Sequence, residues 1–506
     1  MAYILAYDFG TGGMKASLYD EDGLCLAEGF DAYSTYYPAA GFHEQRPQEW
    51  WRATVASTRK LLAGLPVGTA EKIVGIGISG HSLGVVPMDG HGNLLRESVP
   101  IWSDSRPDTQ PAEFFSRVSE TEWYRMTGNG FPSALYSVFK LMWFRDREPG
   151  LFARIQKVLG TKDYINFRLT GVMVTDQSYA SGSGVYDLRR RGYSQRLIGA
   201  AGLPAEMFAE IVPSTQVLGT LTEVAAQELG LPCSVKVVAG GVDNACMSLG
   251  AGAFREGRAY NALGSSSWIA VSSAAPLLED RKRPYVFDHV VPGQYVSALA
   301  IFSAGTAFSW VREQMCRDLV DREAREGISA YRLMDEEAAT SPIGASGVMF
   351  NPTLAGGNSL DATPAVRGSF MNLDLRHNRA DLLRAAMEGV AMGLRNVLDE
   401  LRQLTHVAEP LVLVGGGANS SLWRQIYADV YHSAVVRTRA GQQAAALGAA
   451  AVAAVGVGLW KDFGAIDEVS AVTDMNRPSE DASATYEKLL AKYKRASSLL
   501  GAWAKS

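Results

Sequence analysis

One pattern occurs twice in this chain, and it narrows the possible folds more than any other feature. Apolar residues Tyr3 to Tyr7 lead into Asp8, a small-residue turn follows at Gly10, Thr11, Gly12 and Gly13, and beyond Lys15 a second apolar run covers Ala16 to Tyr19. About 250 residues later Tyr260 to Leu263 leads into Gly264, Ser265, Ser266 and Ser267, and Trp268 to Val271 follows. Each reads as strand, tight turn, strand. Two halves that open alike imply a duplicated fold, with the two turns facing across a cleft. At 506 residues the chain exceeds what a single core usually serves, so two domains of roughly 250 residues are expected.

Composition excludes several classes. The net charge is −5 and charged residues make up 20% of the chain, with no dense Lys/Arg tract, so a nucleic-acid surface is not indicated. Arg189, Arg190 and Arg191 read as a solvated turn. Cys25, Cys233, Cys246 and Cys316 show no metal or redox spacing, which fits reduced thiols. The seven histidines lack zinc-ligand spacing. Because a strand begins almost at once, no signal peptide is expected, and a cytoplasmic location follows. Ala444 to Trp460 carries no charge, but its alanines and glycines suit a closely packed buried helix better than a membrane span.

Between the hairpins, Gln48 to Leu62 and Phe139 to Arg147 have helical periods, while Lys72 to Ser79 and Val85 to Met88 read as strands. Val235 to Ala239 reads as a strand entering Gly240, Gly241, Val242, Asp243 and Asn244, then a small-residue helix to about Gly252. Leu383, Met387, Val390, Leu394, Val397, Leu401 and Leu404 fall three and four apart, the stripe of one long core helix. Leu411 to Val414 then runs into Gly415, Gly416, Gly417, Ala418, Asn419 and Ser420, with a helix from Ser421 to about Val430.

These patterns suggest phosphate chemistry. Glycines let backbone N–H groups close around an anion, and an acidic residue at a strand end, here Asp8, can hold the metal that accompanies a phosphate. The turn is not a Walker loop, since no G-x-x-x-x-G-K-[ST] occurs and no helix follows the glycines. Asp8 is alternatively an Asx-turn residue shaping the hairpin. Asp243, after two glycines at a strand–helix junction, either projects a carboxylate into a cleft or caps the helix that follows. Lys15 either reaches a phosphate or lines the strand edge. The strand–glycine–helix order at Gly415 to Ser421 sets helix N-terminal amides beside a ligand.

Taken together these segments resemble the FGGY family of carbohydrate kinases, within the actin- and hexokinase-like ATPases. The resemblance covers Asp8 to about Gly456 and also rests on Lys140 to Phe144, Gly160 to Tyr164 and the stretch from Gly368 and Phe370 to Glu388, where Asn372 replaces the family's usual glycine. It implies an α/β, ribonuclease-H-like fold of two duplicated domains, 1–252 for sugar and base and 253–506 for ATP. It further implies Asp243 as general base, Asp8 as the Mg²⁺ residue, and Thr11, Gly12, Gly13 and Lys15 with Gly264, Ser265 and Ser266 as phosphate contacts. Gly416, Gly417 and Asn419, with Gly305, would border the adenosine. Lys140 and Lys162 are assigned no chemistry.

Ile101 to Arg106 resembles the acceptor segment of the xylulose-phosphorylating members, with Asp104 accepting from sugar hydroxyls and Trp102 stacking on carbon faces. As plain alternatives, Asp104 caps the loop and Trp102 anchors it. His81 and Ser82 lie where those members place a sugar-contacting histidine, although here the histidine comes two places early and leucine stands at the expected position. The implied reaction is ATP-dependent phosphorylation of a small ketose, D-xylulose to D-xylulose 5-phosphate. L-ribulose, another ketose, a sugar alcohol or a signalling carbohydrate is the alternative acceptor, and an actin-like ATPase switch without kinase activity is the alternative of a different class. Partners are then the sugar and ATP, without nucleic acid or membrane, and a homodimer is compatible. Substrate-driven closure about residues 245–260 is expected, because water competes for the phosphate.

Overall fold

A computed structural model describes residues 2–358 and 360–505. The chain divides into two compact units that are not contiguous in sequence. Unit one comprises Met1–Glu256, Ser272–Ser297 and Gln443–Ser470; unit two comprises Gly257–Val271, Ala298–Gln442 and Ala471–Ser506.

Unit one is built on β1 (Tyr3–Phe9), β2 (Gly13–Tyr19), β3 (Cys25–Ala32), β4 (Ile73–Gly80), β5 (Val217–Thr220) and β6 (Lys236–Val238), with the short β7 (Gly241–Val242) paired to β4. Their order is β5-β6-β4-β1-β2-β3. β1 pairs antiparallel with β2 and parallel with β4. Six of the seven β1 residues are buried, as a central strand covered on both faces requires, and this is why the segment reads as one apolar run. β3, at the edge, has only one buried residue among exposed and half-buried ones. The sequence reading passed over it, since no apolar run marks it.

The helices Asp243–Gly250 and Ala444–Gly456 both belong to unit one and pack directly on each other. Their small residues are a steric requirement. A Cβ on Gly250 would lie 1.8 Å from the Ala444 carbonyl oxygen, and one on Gly448 would lie 1.8 Å from that of Cys246. On β4, a Cβ at Gly77 would meet the Ala449 oxygen at 2.1 Å, so the second helix also rests on the central sheet. The uncharged run is therefore an interior helix. Among the described residues no helix is long and apolar enough to cross a membrane.

The second sheet, most of whose strands belong to unit two, repeats the plan with β8 (Ala259–Leu263), β9 (Ser267–Ser273), β10 (Tyr295–Ile301), β11 (Leu411–Val414), β12 (Val435–Thr438) and β13 (Val472–Asn476), in the order β10-β9-β8-β11-β12-β13, with Tyr285–Asp288 at the edge beside β10. β8 is antiparallel to β9 and parallel to β11, β11 is parallel to β12, and β13 returns antiparallel. Unit one has the same relations among β1, β2, β4, β6 and β5. The duplication inferred from two hairpins thus extends through both sheets. The expected long helix runs Arg379–Leu404, opened by a capping box of Asn378 and Asp381, and its stripe from Leu383 to Leu401 is buried while Leu404 is half-buried.

Candidate active site

Asp8, next to last in β1, stands opposite Lys15 on β2 and Ser79 on β4. The Ser79 hydroxyl donates to Asp8 Oδ1 at 2.7 Å. Burial pushes the Asp8 carboxyl above its ordinary range, opposed by the Ser79 hydrogen bond and the Lys15 charge. β7 pairs with the end of β4, Gly241 beside Ser79 and Val242 beside Gly80, which sets Asp243 next along the chain. The backbone reaches this position because Gly240 adopts φ +73°, where a Cβ would strike the Ile78 carbonyl oxygen at 2.1 Å.

Asp243 is the first residue of its helix and Val242 is the cap, so the carboxylate does not serve as the helix cap. Half-buried, it accepts from the Asn244 N–H at 2.8 Å. Burial first, and then the negative charge of Asp8, push its pKa up to about 7, against the lowering effect of backbone N–H groups. Two carboxylates thus share one neighbourhood, and each resists ionisation.

The segment leading to Asp243 is anchored from behind by residues to which the sequence reading gave no role. Buried Lys162 bridges Asp176 at 2.9 Å and donates to the Ala239 carbonyl at 3.3 Å, and Asn166 Nδ2 donates to the same carbonyl at 2.8 Å. Ser178 Oγ accepts the Val242 N–H at 2.9 Å and donates to Asp176. A lysine ahead of an aspartate, inside the Gly160 to Tyr164 stretch, was the sequence signal, and spacing alone does not distinguish it from core packing.

In the first turn Gly10 N–H donates to the Gly13 oxygen at 3.0 Å. Thr11 and Gly12 are exposed, and nothing lies within 4 Å of where a Gly12 Cβ would stand. Lys15, half-buried, faces Asp8 across the ladder. Trp102 is 38% exposed and its indole N–H donates to Thr11 Oγ1 at 2.9 Å, so the structure brings the phosphate-type turn and the acceptor-type segment together. Gln45, overlooked in the sequence, donates to the Thr11 carbonyl at 2.7 Å.

His81 and Asp104 lie deeper. His81 is buried, its ring 3.2 Å from Thr161 Oγ1 and edge-on to Trp50. Burial, reinforced by the Lys140 charge, lowers its pKa to about 4, so the imidazole is neutral at pH 7. Ser82 is half-buried, and Leu83 after it takes φ +60° although it is not glycine. Asp104 is 0% exposed. Its carboxylate takes Arg106 Nε at 2.9 Å, Arg106 Nη2 at 2.8 Å and the His43 N–H at 2.8 Å. Arg106 in turn reaches Glu44 at 2.5 Å.

In unit two the Gly264–Ser266 turn meets the start of the helix Gly305–Met315. The Gly305 N–H donates to the Gly264 carbonyl at 2.9 Å, and the Thr306 N–H and hydroxyl both donate to that of Ser265. A Cβ on Gly305 would fall 2.4 Å from the Gly264 oxygen. β11 ends at Val414, Gly416–Asn419 forms a single tight turn, and Ser420 caps the helix Ser421–Tyr431 by accepting the Trp423 N–H at 3.0 Å. Gly417 lies against Leu263 at the end of β8. The glycine loops of β8 and β11 therefore adjoin, and Gly305 joins one of them.

Comparison with known proteins shows the family. Residues 3–250 match the N-terminal domain, and residues 259–457 the C-terminal domain, of the FGGY family of carbohydrate kinases. The chain is 29% identical over 463 residues to a xylulose kinase of Bacillus subtilis, spanning 92% of this chain and 90% of the relative. It is 26% identical over 491 residues to a gluconokinase of Bacillus licheniformis, spanning 97% and 94%. The crystal structure of a xylulose kinase from Rhodospirillum rubrum superposes with a TM-score of 0.88 at 28% identity, covering 100% of both chains.

Proposed function

The chain belongs to the FGGY family of carbohydrate kinases, and from that premise we propose that it transfers the terminal phosphoryl group of ATP to the end hydroxyl of D-xylulose, with Asp243 as general base. The observation that carries this reading is the placement of Asp243: a half-buried carboxylate at the end of β7, beside Asp8, with its pKa near 7. A base is most effective when its pKa lies near the working pH.

Asp243 accepts the proton of the acceptor hydroxyl. The freed oxygen forms a bond to the γ-phosphorus, the bond from that phosphorus to the β–γ bridging oxygen breaks, and ADP leaves. Thr11, Gly12, Gly13 and Lys15 receive the transferred group. Gly264, Ser265, Ser266, Gly305, Gly416, Gly417 and Asn419 hold the nucleotide. Trp102, an exposed member of the acceptor segment, packs on the sugar. Asp104 and His81, buried as they are, shape that segment from beneath it.

Among the described residues no group of three acidic, histidine or cysteine side chains forms a metal cage. The donor set nevertheless fits Mg²⁺, which keeps most of its waters and needs only one or two carboxylates, and Asp8 and Asp243 are two carboxylates whose charges oppose each other. Asp8 would hold the ion, which would supply charge neutralisation at the phosphates.

The test is a coupled ADP-release screen over pentuloses, hexuloses, polyols, glycerol and D-gluconate. D-xylulose is expected to give a kcat/KM at least about tenfold above the rest. Absence of acceptor-stimulated ADP release would overturn the kinase reading in favour of an ATPase switch. A second acceptor, D-gluconate, is favoured by the similarity to the gluconokinase, and the same screen separates the two.

A further inference from the structure

We propose that Lys140 is a positioning residue for the acceptor, a buried amine donor that ties together the two backbone segments carrying Ser82 and Trp102. The proposal rests on the assignment of those segments to the sugar. Lys140 lies in the helix Ser137–Arg147 and is 0% exposed. Its Nζ donates to the Leu83 carbonyl at 2.9 Å and to the Ile101 carbonyl at 2.7 Å. One carbonyl follows Ser82 directly, and the other directly precedes Trp102. The lysine therefore fixes the spacing between the two places where the chain turns toward a ligand.

Three observations argue that this is more than core filling. First, Val138, Phe139, Leu141 and Met142 around Lys140 in sequence are all buried apolar residues, and a methionine would fill the same volume without desolvating a charge. Second, Leu83 holds φ +60°, a conformation that a branched residue keeps only when its surroundings over-determine it, and its carbonyl is one of the two that Lys140 grips. Third, the two segments are joined again nearby, Val85 N–H to the Pro100 oxygen at 3.1 Å, and Ser137 Oγ at the start of the Lys140 helix donates to the Gly84 oxygen at 3.3 Å. The lysine thus completes a set of ties that converges on this junction.

The charged groups around Lys140 are Asp104, which favours its ammonium, and Arg106, which opposes it; burial, with Arg106 acting in the same direction, outweighs Asp104 and lowers its pKa to about 7. The contrast is with Lys162, bridged to Asp163 and Asp176 and kept charged by them. Lys140 spends its hydrogen bonds on neutral carbonyls, which suits a residue that sets geometry.

The experiment uses the full-length protein with D-xylulose and glycerol as acceptors. Lys140→Met removes both hydrogen bonds at nearly constant volume, and Lys140→Gln keeps a neutral N–H donor on a shorter side chain. Lys140→Met is expected to raise the KM for D-xylulose at least about tenfold, to leave kcat within about threefold and the KM for ATP within about twofold, and to narrow the preference for D-xylulose over glycerol about tenfold. Lys140→Gln should fall between. In both variants the amides of 81–85 and 101–106 should exchange hydrogen at least about tenfold faster, while those of Asp243–Gly250 stay unchanged. An unchanged acceptor KM, a loss confined to kcat for every acceptor, faster exchange throughout unit one, or failure of both variants to fold would each overturn the proposal. The exchange measurement needs no substrate. A wild-type enzyme inactive on D-xylulose would therefore contradict the acceptor assignment and leave the exchange result standing on its own.

Discussion

Asp243 and Asp8 impose a cost on the folded state that has a measurable sign. An Asp243 carboxyl with a pKa near 7 binds its proton more tightly folded than unfolded, where an aspartate titrates near 3.9. The resulting destabilisation is fully present above about pH 7 and disappears as the pH falls toward 4. Asp243→Asn should therefore raise Tm by a few degrees at pH 8, with the gain shrinking steadily toward pH 4. Thermal denaturation across that range checks it; a gain independent of pH would contradict the burial argument. As the proposed base, the same group should set the pH profile of the wild type. Below about pH 7 the base holds its proton, so kcat/KM for the acceptor should rise with pH and level off above 7. Asn372, where a glycine is usual in the family, has a simple explanation at this scale. It adopts φ +64°, a region asparagine tolerates better than other side chains, and its Nδ2 donates to the Gly347 oxygen at 2.9 Å.

At the scale of elements, the glycines of the paired helices matter most. The Asp243–Gly250 helix carries the proposed base at its start and is held by Ala444–Gly456 at backbone contact. Gly448→Ala places a methyl group 1.8 Å from the Cys246 oxygen, which the helices can relieve only by separating. Stability should fall by about 3 kcal/mol or more, and activity should fall with it because Asp243 moves; urea denaturation beside the kinase assay checks both. Much of this level was legible in advance. The runs around β1, β4 and β11 and the stripe of Arg379–Leu404 have the periods of their elements. Ser421–Tyr431 begins where the glycines and Ser420 signal a start. What stayed hidden depends on partners distant in the chain. β3 is an edge strand without an apolar run, and nothing in Ala444–Gly456 says that it packs on a helix 200 residues earlier. Asp104 was readable as a polar residue in the segment resembling an acceptor site, but its enclosure by Arg106 and the His43 backbone depends on Gly41 to Glu44, which no local pattern connects to it.

Across the molecule, one plan is used twice. Both sheets place an antiparallel hairpin beside two parallel strands and close with an antiparallel return. In unit one the hairpin turn lies beside Asp8, Trp102 and the path to Asp243. In unit two the corresponding turn is bonded to Gly305 and adjoins the Gly415–Asn419 loop. The repeat of the hairpin was visible because small residues interrupt apolar runs at both places; the discontinuity of the units was not, since Ser272–Ser297 and Gln443–Ser470 carry no mark of where they return. On the proposed reading, phosphoryl transfer depends on one side chain, Asp243. The most direct measurement compares wild type with Asp243→Asn for ADP release under saturating D-xylulose, with binding of the sugar followed by calorimetry. The account predicts that the variant binds D-xylulose within about threefold of wild type while turnover falls about a thousandfold. Turnover within tenfold of wild type would contradict it.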